Sequence, residues 1–217
     1  PDRCAENTRK LIAEDPMALF AYVGTPTSLA ALPLATAAKV PFFAPFTGAM
    51  GLRQPFNRHA FHLRGSYNDE TALIVKQTTS QGIKKIAVFH QNDAYGKAGL
   101  DGVELALAAQ NMKPVAKATV ERNSVDVAAA VKTLVAAAPD AIVQISAYKS
   151  CAAFIRAAKA AGFGGRGMAV LGAIVGRWRV MVHGNARMGR GVKRRAASIA
   201  YDGKYSITYH SQMSSFA

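Results

Sequence analysis

Residues 84–120 read KKIAVFHQNDAYGKAGLDGVELALAAQNMKPVAKATV, and the order of patterns in this stretch decides the fold class. The run KKIAVFH predicts a strand, AGLDGVELALAAQN predicts a helix, and KPVAKATV predicts a second strand. A strand, a helix and a further strand form the unit from which parallel sheets are built. We therefore expect an α/β protein.

The same alternation continues in both directions from this stretch. On the N-terminal side lie a predicted strand buried on both faces, MALFAYV (17–23), a helix, SLAALPLATAAK (28–39), and a strand, VPFFAPF (40–46). On the C-terminal side lie a predicted helix, SVDVAAAVKTLVAAAP (124–139), and a strand, DAIVQIS (140–146). Strands that alternate with helices in this way predict parallel sheets covered by helices on both faces.

The last quarter of the chain differs from the rest in composition and charge. Residues 1–164 hold 18 Lys and Arg against 12 Asp and Glu, a net +6, whereas residues 165–217 hold 9 against 1, a net +8. Glycine and arginine dominate from residue 166 to about residue 200, where the acid-free stretch ends. Partners that bind through charge are therefore expected at this end, if anywhere.

Composition also limits the class of protein. With 50% apolar residues and 18% charged residues in 217, the chain is expected to form a globular core. The sequence has no run of 18 apolar residues that would indicate a membrane span. No signal peptide is visible in the polar opening PDRCAENTRKLIAEDP, so a leader would have to have been removed or left out. Cys4 and Cys151 do not make a disulfide framework, and whether they pair stays open.

Three loops that follow predicted strands carry candidate site residues. The first is GTPTS (24–28), where Thr25, Thr27 and Ser28 precede a helix. Unpaired N–H groups at a helix N-terminus, together with hydroxyl groups, can hold an anion such as a carboxylate. The alternative interpretation is that Thr27 or Ser28 only caps the helix.

The second and third loops follow later strands. In APFTGAM (44–50), Thr47 stands beside Gly48, which allows a ligand to approach the backbone closely. Two such loops on consecutive strands are expected to lie side by side at one sheet edge. In HQNDAYGKAG (90–99), Tyr95 is either a cleft residue whose ring covers an apolar ligand or a surface or hinge tyrosine.

The candidate motifs for catalysis, metal binding and cofactor binding lack the residues or the context that these functions require. The match GFGGRG (162–167) follows a helix rather than a strand, so it lacks the context of a dinucleotide site. His59 and His62 have no cysteine or carboxylate nearby to complete a metal site. We predict no catalytic residues, no metal and no cofactor, and an enzyme remains an open alternative.

Taken together, the segments GTPTSLAALPLA, VPFFAPFTGA, FHLRGSYNDE, IAVFHQNDAYGKAGLDGVELAL and YKSCAAFIRAAKAAGFGG resemble the periplasmic substrate-binding proteins of ABC transporters, of the leucine/isoleucine/valine-binding type. The resemblance covers about residues 1–165. It implies the type I fold of two Rossmann-like lobes joined by a hinge, with a solute held between them. It divides the chain into a partial first lobe (1–63), a second lobe (64–165) and a divergent Arg/Gly-rich tail (166–217).

The resemblance also implies roles for the loop residues. Thr25, Thr27 and Ser28 would hold the carboxylate of an amino acid, and Thr47 with Gly48 would help bind its carboxylate and ammonium. Tyr95 and Tyr148 would face the cleft from the second lobe. An ABC permease would be the membrane partner, the location would be the periplasm, and no nucleic acid partner is expected.

Two departures from the family pattern bear on these expectations. Family members have a strand, a helix and a strand before the point where this sequence starts, so we expect an incomplete first lobe. They also continue with further second-lobe elements where this chain has its Arg/Gly-rich tract, which raises the hypothesis of a fragment with a stretch read in a foreign frame. A ligand sensor, or a nucleic-acid-binding protein acting through the basic tract, stays open as an alternative.

Overall fold

The computed structural model describes residues 1–164 in full and, beyond them, the backbone of strands at 167–170, 179–182, 197–200 and 208–209. The helices are α1 (Asp2–Ala13), α2 (Thr25–Ala37), α3 (Tyr67–Ser80), α4 (Ala94–Ala108), α5 (Ala128–Ala136) and α6 (Tyr148–Ala160). The strands are β1 (Leu19–Phe20), β2 (Phe42–Phe43), β3 (Ala60–Phe61), β4 (Ile86–Gln91), β5 (Lys117–Val120), β6 (Ala141–Ile145), β7 (Gly167–Val170), β8 (Arg179–Val182), β9 (Ala197–Ala200) and β10 (Thr208–Tyr209). Among the described residues, no helix is both long and apolar enough to cross a membrane.

The larger parallel sheet has the order β5-β4-β6-β7, and helices cover its central strands on both faces. Side chains alternate along β4, so Ile86 and Val88 pack in one cluster with α3 and α4. Ala87 and Phe89 point to the opposite face and pack in a second cluster with α5 and α6. There the ring of Phe89 stacks on that of Phe154, with 4.2 Å between centroids. The predicted parallel sheet with two covered faces is confirmed for this part of the chain.

The smaller parallel sheet has the order β1-β2-β3 and has a different environment on each face. Leu19 and Phe42 are buried against α2. Their neighbours Phe20, Phe43 and Phe61 pair in register across the sheet and point to the other face. We call these three the aromatic row, and their exposed fractions are 67%, 36% and 46%. The prediction that 17–23 is a strand buried on both faces is therefore wrong, because the side chains on the second face of this sheet are exposed rather than packed in a core.

The two halves of the described chain have separate cores. Side chains of α1 and α2 pack in the cluster of the smaller sheet, and α3 packs with α4 on the larger one. We call the smaller sheet with α1 and α2 the first lobe, and β4–β6 with α3–α6 the second lobe. The boundaries predicted at residues 63 and 165 stay predictions. Past residue 165 the described strands include β7 in the larger sheet and an antiparallel sheet of order β10-β9-β8.

The strand order of the larger sheet indicates where a ligand-binding site is expected. From β4 the chain crosses to β5 on one side, and it then returns to β6 on the other side of β4. Neighbouring strands whose connections leave in opposite directions form a topological switch point, and ligands of open α/β sheets bind beyond the carboxyl ends of such strands. The residues that follow β4 and β6 are therefore the place to look for a site.

Candidate functional site

A cleft with a volume of about 150 Å³ lies between the carboxyl ends of the two sheets. The first lobe contributes Val23, Gly24, Thr25, Pro26 and Phe46 to its lining. The ends of β4 and β6 contribute Gln91, Asp93, Ser146 and Ala147. Tyr67, Tyr95, Arg122 and Asn123 complete the lining. The cleft thus includes the switch point and faces the loop GTPTS across it.

Helix α2 begins inside this loop and presents its N-terminus to the cleft. Its N-cap is Gly24, which has φ +95° and provides no side chain to cap the helix. Glycine reaches this left-handed conformation without the strain that a Cβ would cause. The hypothesis that Thr27 or Ser28 is the N-cap is therefore wrong. The first N–H groups of α2 carry no side-chain cap, which leaves donors available to an anion.

The hydroxyl groups of Thr27 and Ser28 in this loop contact backbone carbonyls of the first lobe. Thr27 Oγ1 donates to the carbonyl of Gly24 at 2.9 Å and also contacts the carbonyl of Val23. Ser28 Oγ lies 3.5 Å from the carbonyl of Tyr22, and its side chain is fully buried. These two hydroxyl groups therefore stabilise the turn, and they are absent from the cleft lining.

Thr25 and Thr47 join the two loops of the first lobe. Their hydroxyl groups are 2.7 Å apart and buried, and Thr47 Oγ1 donates to the hydroxyl of Tyr67 at 3.4 Å. The prediction that the two loops lie side by side at one sheet edge is confirmed. Thr25 lines the cleft, whereas Thr47 stands behind it and fixes Thr25 in place.

Gly48 has a packing role rather than an open approach to a ligand. A Cβ at this position would lie 2.7 Å from both the backbone nitrogen and the ring of Tyr67. The carbonyl of Gly48 also accepts a hydrogen bond of 2.7 Å from that nitrogen. The backbone that approaches Gly48 closely is therefore the start of α3, and neither Gly48 nor Thr47 is part of the cleft lining.

Asp93 organises the second-lobe side of the cleft. Its Oδ1 accepts from the backbone nitrogens of Tyr95 and Gly96 at 2.9 and 3.1 Å, so it caps α4. Its Oδ2 accepts from Gln91 Nε2 at 2.6 Å and lies 3.7 Å from Arg122 Nη1. The stretch predicted as a loop from 90 to 99 is therefore a strand end, a cap and the first turn of a helix.

Tyr95 belongs to an aromatic wall of the cleft. Its ring centroid lies 5.6 Å from that of Tyr67, and the guanidinium of Arg64 lies 5.0 Å from the Tyr67 ring and 5.8 Å from the Phe46 ring. Burial, and then the neighbouring Tyr67, raise the pKa of Tyr95 well above its ordinary value, so the phenol stays neutral. Burial also lowers the pKa of Arg64, which pairs with Glu70.

Tyr148 does not line the cleft. It is the first residue of α6 and is 68% exposed. The positions directly before it, Ser146 and Ala147, line the cleft instead, and the N-cap Ala147 leaves α6 without a side-chain cap. The cleft is thus bordered by two helix N-termini without side-chain caps, one from each lobe.

The two cysteines are free and lie in different lobes, on α1 and α6. The Sγ atom of Cys151 lies 3.0 Å from Ser146 Oγ, and burial raises the pKa of this thiol. The Sγ atom of Cys4 lies 3.6 Å from the carbonyl of Thr27. The open question of a disulfide is answered by two unpaired thiols. No cluster of three or more His, Cys, Asp or Glu suited to a metal occurs in the described part of the chain.

Sequence reasoning missed most of the second-lobe lining. Asp93, Gln91, Arg122, Asn123 and Ser146 line the cleft, and none of them is among the site residues predicted from the sequence. One signal was present, because each of them ends a predicted strand or lies within three residues of its end. Applying the rule for strand carboxyl ends to β4, β5 and β6 would have found them.

Two lobes with parallel sheets whose carboxyl ends meet at an open cleft define the class of two-lobed solute-binding proteins. The chain belongs to the periplasmic binding protein family, whose family model matches residues 1–186. That match extends past residue 165, where the resemblance found in the sequence ends. No curated protein matches the chain.

Solved structures agree with this family and with its α/β fold of type I. A possible leucine/isoleucine/valine-binding protein from Rhodopirellula baltica is 31% identical, with a TM-score of 0.70 over 78% of this chain and 47% of that one. A substrate-binding periplasmic protein from Ralstonia solanacearum is 29% identical, with a TM-score of 0.72 over 80% and 49%. An ABC transporter solute-binding protein from R. palustris, in complex with benzoate, is 19% identical, with a TM-score of 0.70 over 78% and 48%. The chain spans about half the length of these relatives, in line with an incomplete first lobe.

Proposed function

We propose that the chain is the solute-binding component, or part of it, of an ABC transporter, and that it holds a small carboxylate-bearing solute outside the cytoplasm. The observation that carries this proposal is the cleft bordered by the uncapped N-termini of α2 and α6. Both termini attract negative charge, and they approach it from different lobes. The proposed boundaries of those lobes are residues 1–63 and 64–165.

Binding by closure follows from this geometry. A solute between the lobes gains contacts from both sides only when the lobes come together, so it stabilises the closed form over the open one. Closure presents a changed surface to a permease in the membrane, and no bond in the solute has to be made or broken. A sensor would use the same cleft and differ in the protein that its closed form contacts.

The proposed solute is an amino acid, branched-chain or related. The wall of Phe46, Tyr67 and Tyr95 offers an apolar surface to its side chain, and the α2 N-terminus offers donors to its carboxylate. A cavity of about 150 Å³ accommodates a group the size of benzene. In support, a relative with 31% identity is named a possible leucine/isoleucine/valine-binding protein.

An aromatic carboxylate is the second candidate solute. The lining described above has one carboxylate, Asp93, and four contacts to protein groups already surround it. The ammonium group of an amino acid would have to compete with those contacts for the Asp93 carboxylate. A benzoate-like solute has no ammonium group and avoids this competition. The R. palustris relative was crystallised with benzoate.

The predicted residues take unequal parts in this proposal. Thr25 and Tyr95 would contact the solute directly, and Thr47 and Gly48 would hold Thr25 and α3 in position. Thr27 and Ser28 would act through the backbone of the α2 turn. Tyr148 stays a predicted contact that the described cleft does not include.

Calorimetric titration of the 217-residue chain tests the proposal. The panel contains leucine, isoleucine and valine, 4-methylpentanoate as leucine without its ammonium, benzoate, and isoamylamine as leucine without its carboxylate. We expect micromolar binding of at least one carboxylate and none of isoamylamine. Thr25→Val should weaken that binding by about fivefold, because a hydrogen bond contributes about 1 kcal/mol.

The matched control is Thr79→Val, which removes a hydroxyl from α3 outside the cleft. It should leave the affinity unchanged. A chain that is folded by circular dichroism and binds no carboxylate of the panel would contradict the proposed function.

A further inference from the structure

We propose that Arg122 is the second-lobe anchor for the solute carboxylate, and that it exchanges its long contact with Asp93 for a forked contact with that carboxylate. The inference rests on the proposed function and adds the residue that makes the cleft select an anion. Arg122 lies in the tight turn after β5, and its side chain is part of the cleft lining.

The local backbone fixes this position. The nitrogen of Ser124 donates to the carbonyl of Glu121 at 3.0 Å, which closes a turn with Arg122 and Asn123 at its centre. Asn123 has φ +61°, a conformation that asparagine tolerates better than most residues. The sequence Glu-Arg-Asn-Ser therefore forms a turn that directs its second residue toward the end of the sheet.

Two neighbouring elements hold this turn. Asn92, after β4, donates from Nδ2 to Glu121 Oε1 at 2.7 Å. Ser150, on α6, donates from Oγ to the carbonyl of Ser124 at 2.6 Å. A binding group is most effective where the scaffold positions it before the ligand arrives, and the turn of Arg122 meets this condition.

The contact between Arg122 and Asp93 is weak enough to be exchanged. The nearest atoms, Arg122 Nη1 and Asp93 Oδ2, are 3.7 Å apart, which is beyond hydrogen-bond distance. The Arg122 side chain is 49% exposed, and solvent screens such a pair. Asp93 keeps three nearer donors, in Gln91 and the first turn of α4, when Arg122 turns away.

A carboxylate is the ligand group that fits this exchange best. Guanidinium and carboxylate form two parallel hydrogen bonds, which an ammonium group or a neutral hydroxyl cannot form with arginine. Arg122 and the α2 N-terminus border the same cavity of about 150 Å³, so one small carboxylate inside it can reach both. Arg122 thereby links the two lobes through the solute.

Titration of three variants with the best carboxylate of the panel tests this inference. Arg122→Gln should weaken binding by about tenfold to a hundredfold, because hydrogen bonds to charged groups are among the stronger ones. Arg122→Lys keeps the charge without the fork and should recover only part of the loss. Arg156→Gln makes the same charge change on exposed α6, outside the cleft lining, and should bind like the original chain.

The affinity of the original chain should also fall with added salt more steeply than that of Arg122→Gln. Equal affinity and equal salt dependence of the original chain and Arg122→Gln would overturn the role of Arg122 and leave the proposed function standing. A folded original chain without affinity for any carboxylate would overturn the proposed function itself. The two failures are therefore distinct.

Discussion

The two parallel sheets of this chain come from similar sequence patterns but have different surroundings. In the β5-β4-β6-β7 sheet, helices cover both faces of the central strands β4 and β6, which are almost wholly buried. The β1-β2-β3 sheet buries Leu19 and Phe42 on one face and exposes the aromatic row on the other. The comparison teaches that an apolar strand pattern defines a strand, whereas the number of packed faces depends on which other elements the fold supplies.

Truncating a buried side chain should produce the largest difference in stability loss between the two sheets. Phe89→Ala removes a fully buried ring that stacks on Phe154, and it should lower the free energy of unfolding by about 3–5 kcal/mol. Phe43→Ala, in the aromatic row, should cost less than about half of that, because its ring is already partly in water. Urea unfolding monitored by circular dichroism measures both changes, and equal losses would show that the exposed face is packed in solution.

The junction between the lobes should show the next largest effect. Gly48→Ala places a Cβ 2.7 Å from the backbone of Tyr67, so α3 has to shift, at a cost of about 1–3 kcal/mol. Gly51→Ala, three residues on, meets only the side chain of Leu29 at 3.6 Å, an ordinary contact, and serves as the control. Unfolding midpoints of the two variants provide the measurement. A Gly48→Ala chain as stable as the control would mean that the lobes are not tightly joined there.

A small pH effect should distinguish the second lobe. Hydrogen bonds from the side chain and backbone of Ser66 lower the pKa of Asp69, which closes the capping box of α3. Because the pKa of Asp69 is lower in the folded than in the unfolded chain, its carboxylate contributes to the free energy of unfolding. This contribution is fully present above the ordinary pKa of an aspartate, about 4, and is lost as the pH falls through the lowered folded pKa. Unfolding between pH 2.5 and 6 should therefore show a weaker pH dependence for Asp69→Asn than for the original chain.

Glu14→Gln is a suitable control for this measurement, because Glu14 follows α1 in the first lobe and has no hydrogen bond from its side chain among the described residues. It should retain the acid dependence of the original chain. If Asp69→Asn retains it as well, the capping box does not contribute to acid stability.

The strand–helix order was predictable from sequence because alternation and length are local properties of the chain. The placement of Thr25 beside Thr47 was also predictable, since the carboxyl ends of parallel strands meet at one edge. The hydrogen-bond partners of the hydroxyl groups were not predictable. Whether Thr27 donates to a solute or to a carbonyl one turn earlier depends on backbone angles that the sequence does not show. The exposure of Phe20 was missed for a different reason, since it depends on a layer that lies on the sheet rather than on the strand itself.

The position of Arg122 also lay beyond the pattern reasoning, although its sequence neighbours explain it afterwards. A turn of Glu-Arg-Asn-Ser looks like ordinary surface in a sequence. Only the fold shows that α6 and the end of β4 hold that turn against the cleft. The side chains that follow β4 and β6 could have been found by asking which residues come directly after each strand.

The four contacts of Asp93 have a consequence for how such a cleft can diversify. One carboxylate caps α4, accepts a hydrogen bond from Gln91 and lies near Arg122, so replacing it changes helix stability and cleft chemistry in a single step. Arg122 lies in a turn whose hydrogen bonds do not involve the Arg122 side chain. Changes of solute preference among descendants of this sequence are therefore expected to accumulate at position 122 well before position 93, and a mutational library aimed at new solutes is best started there.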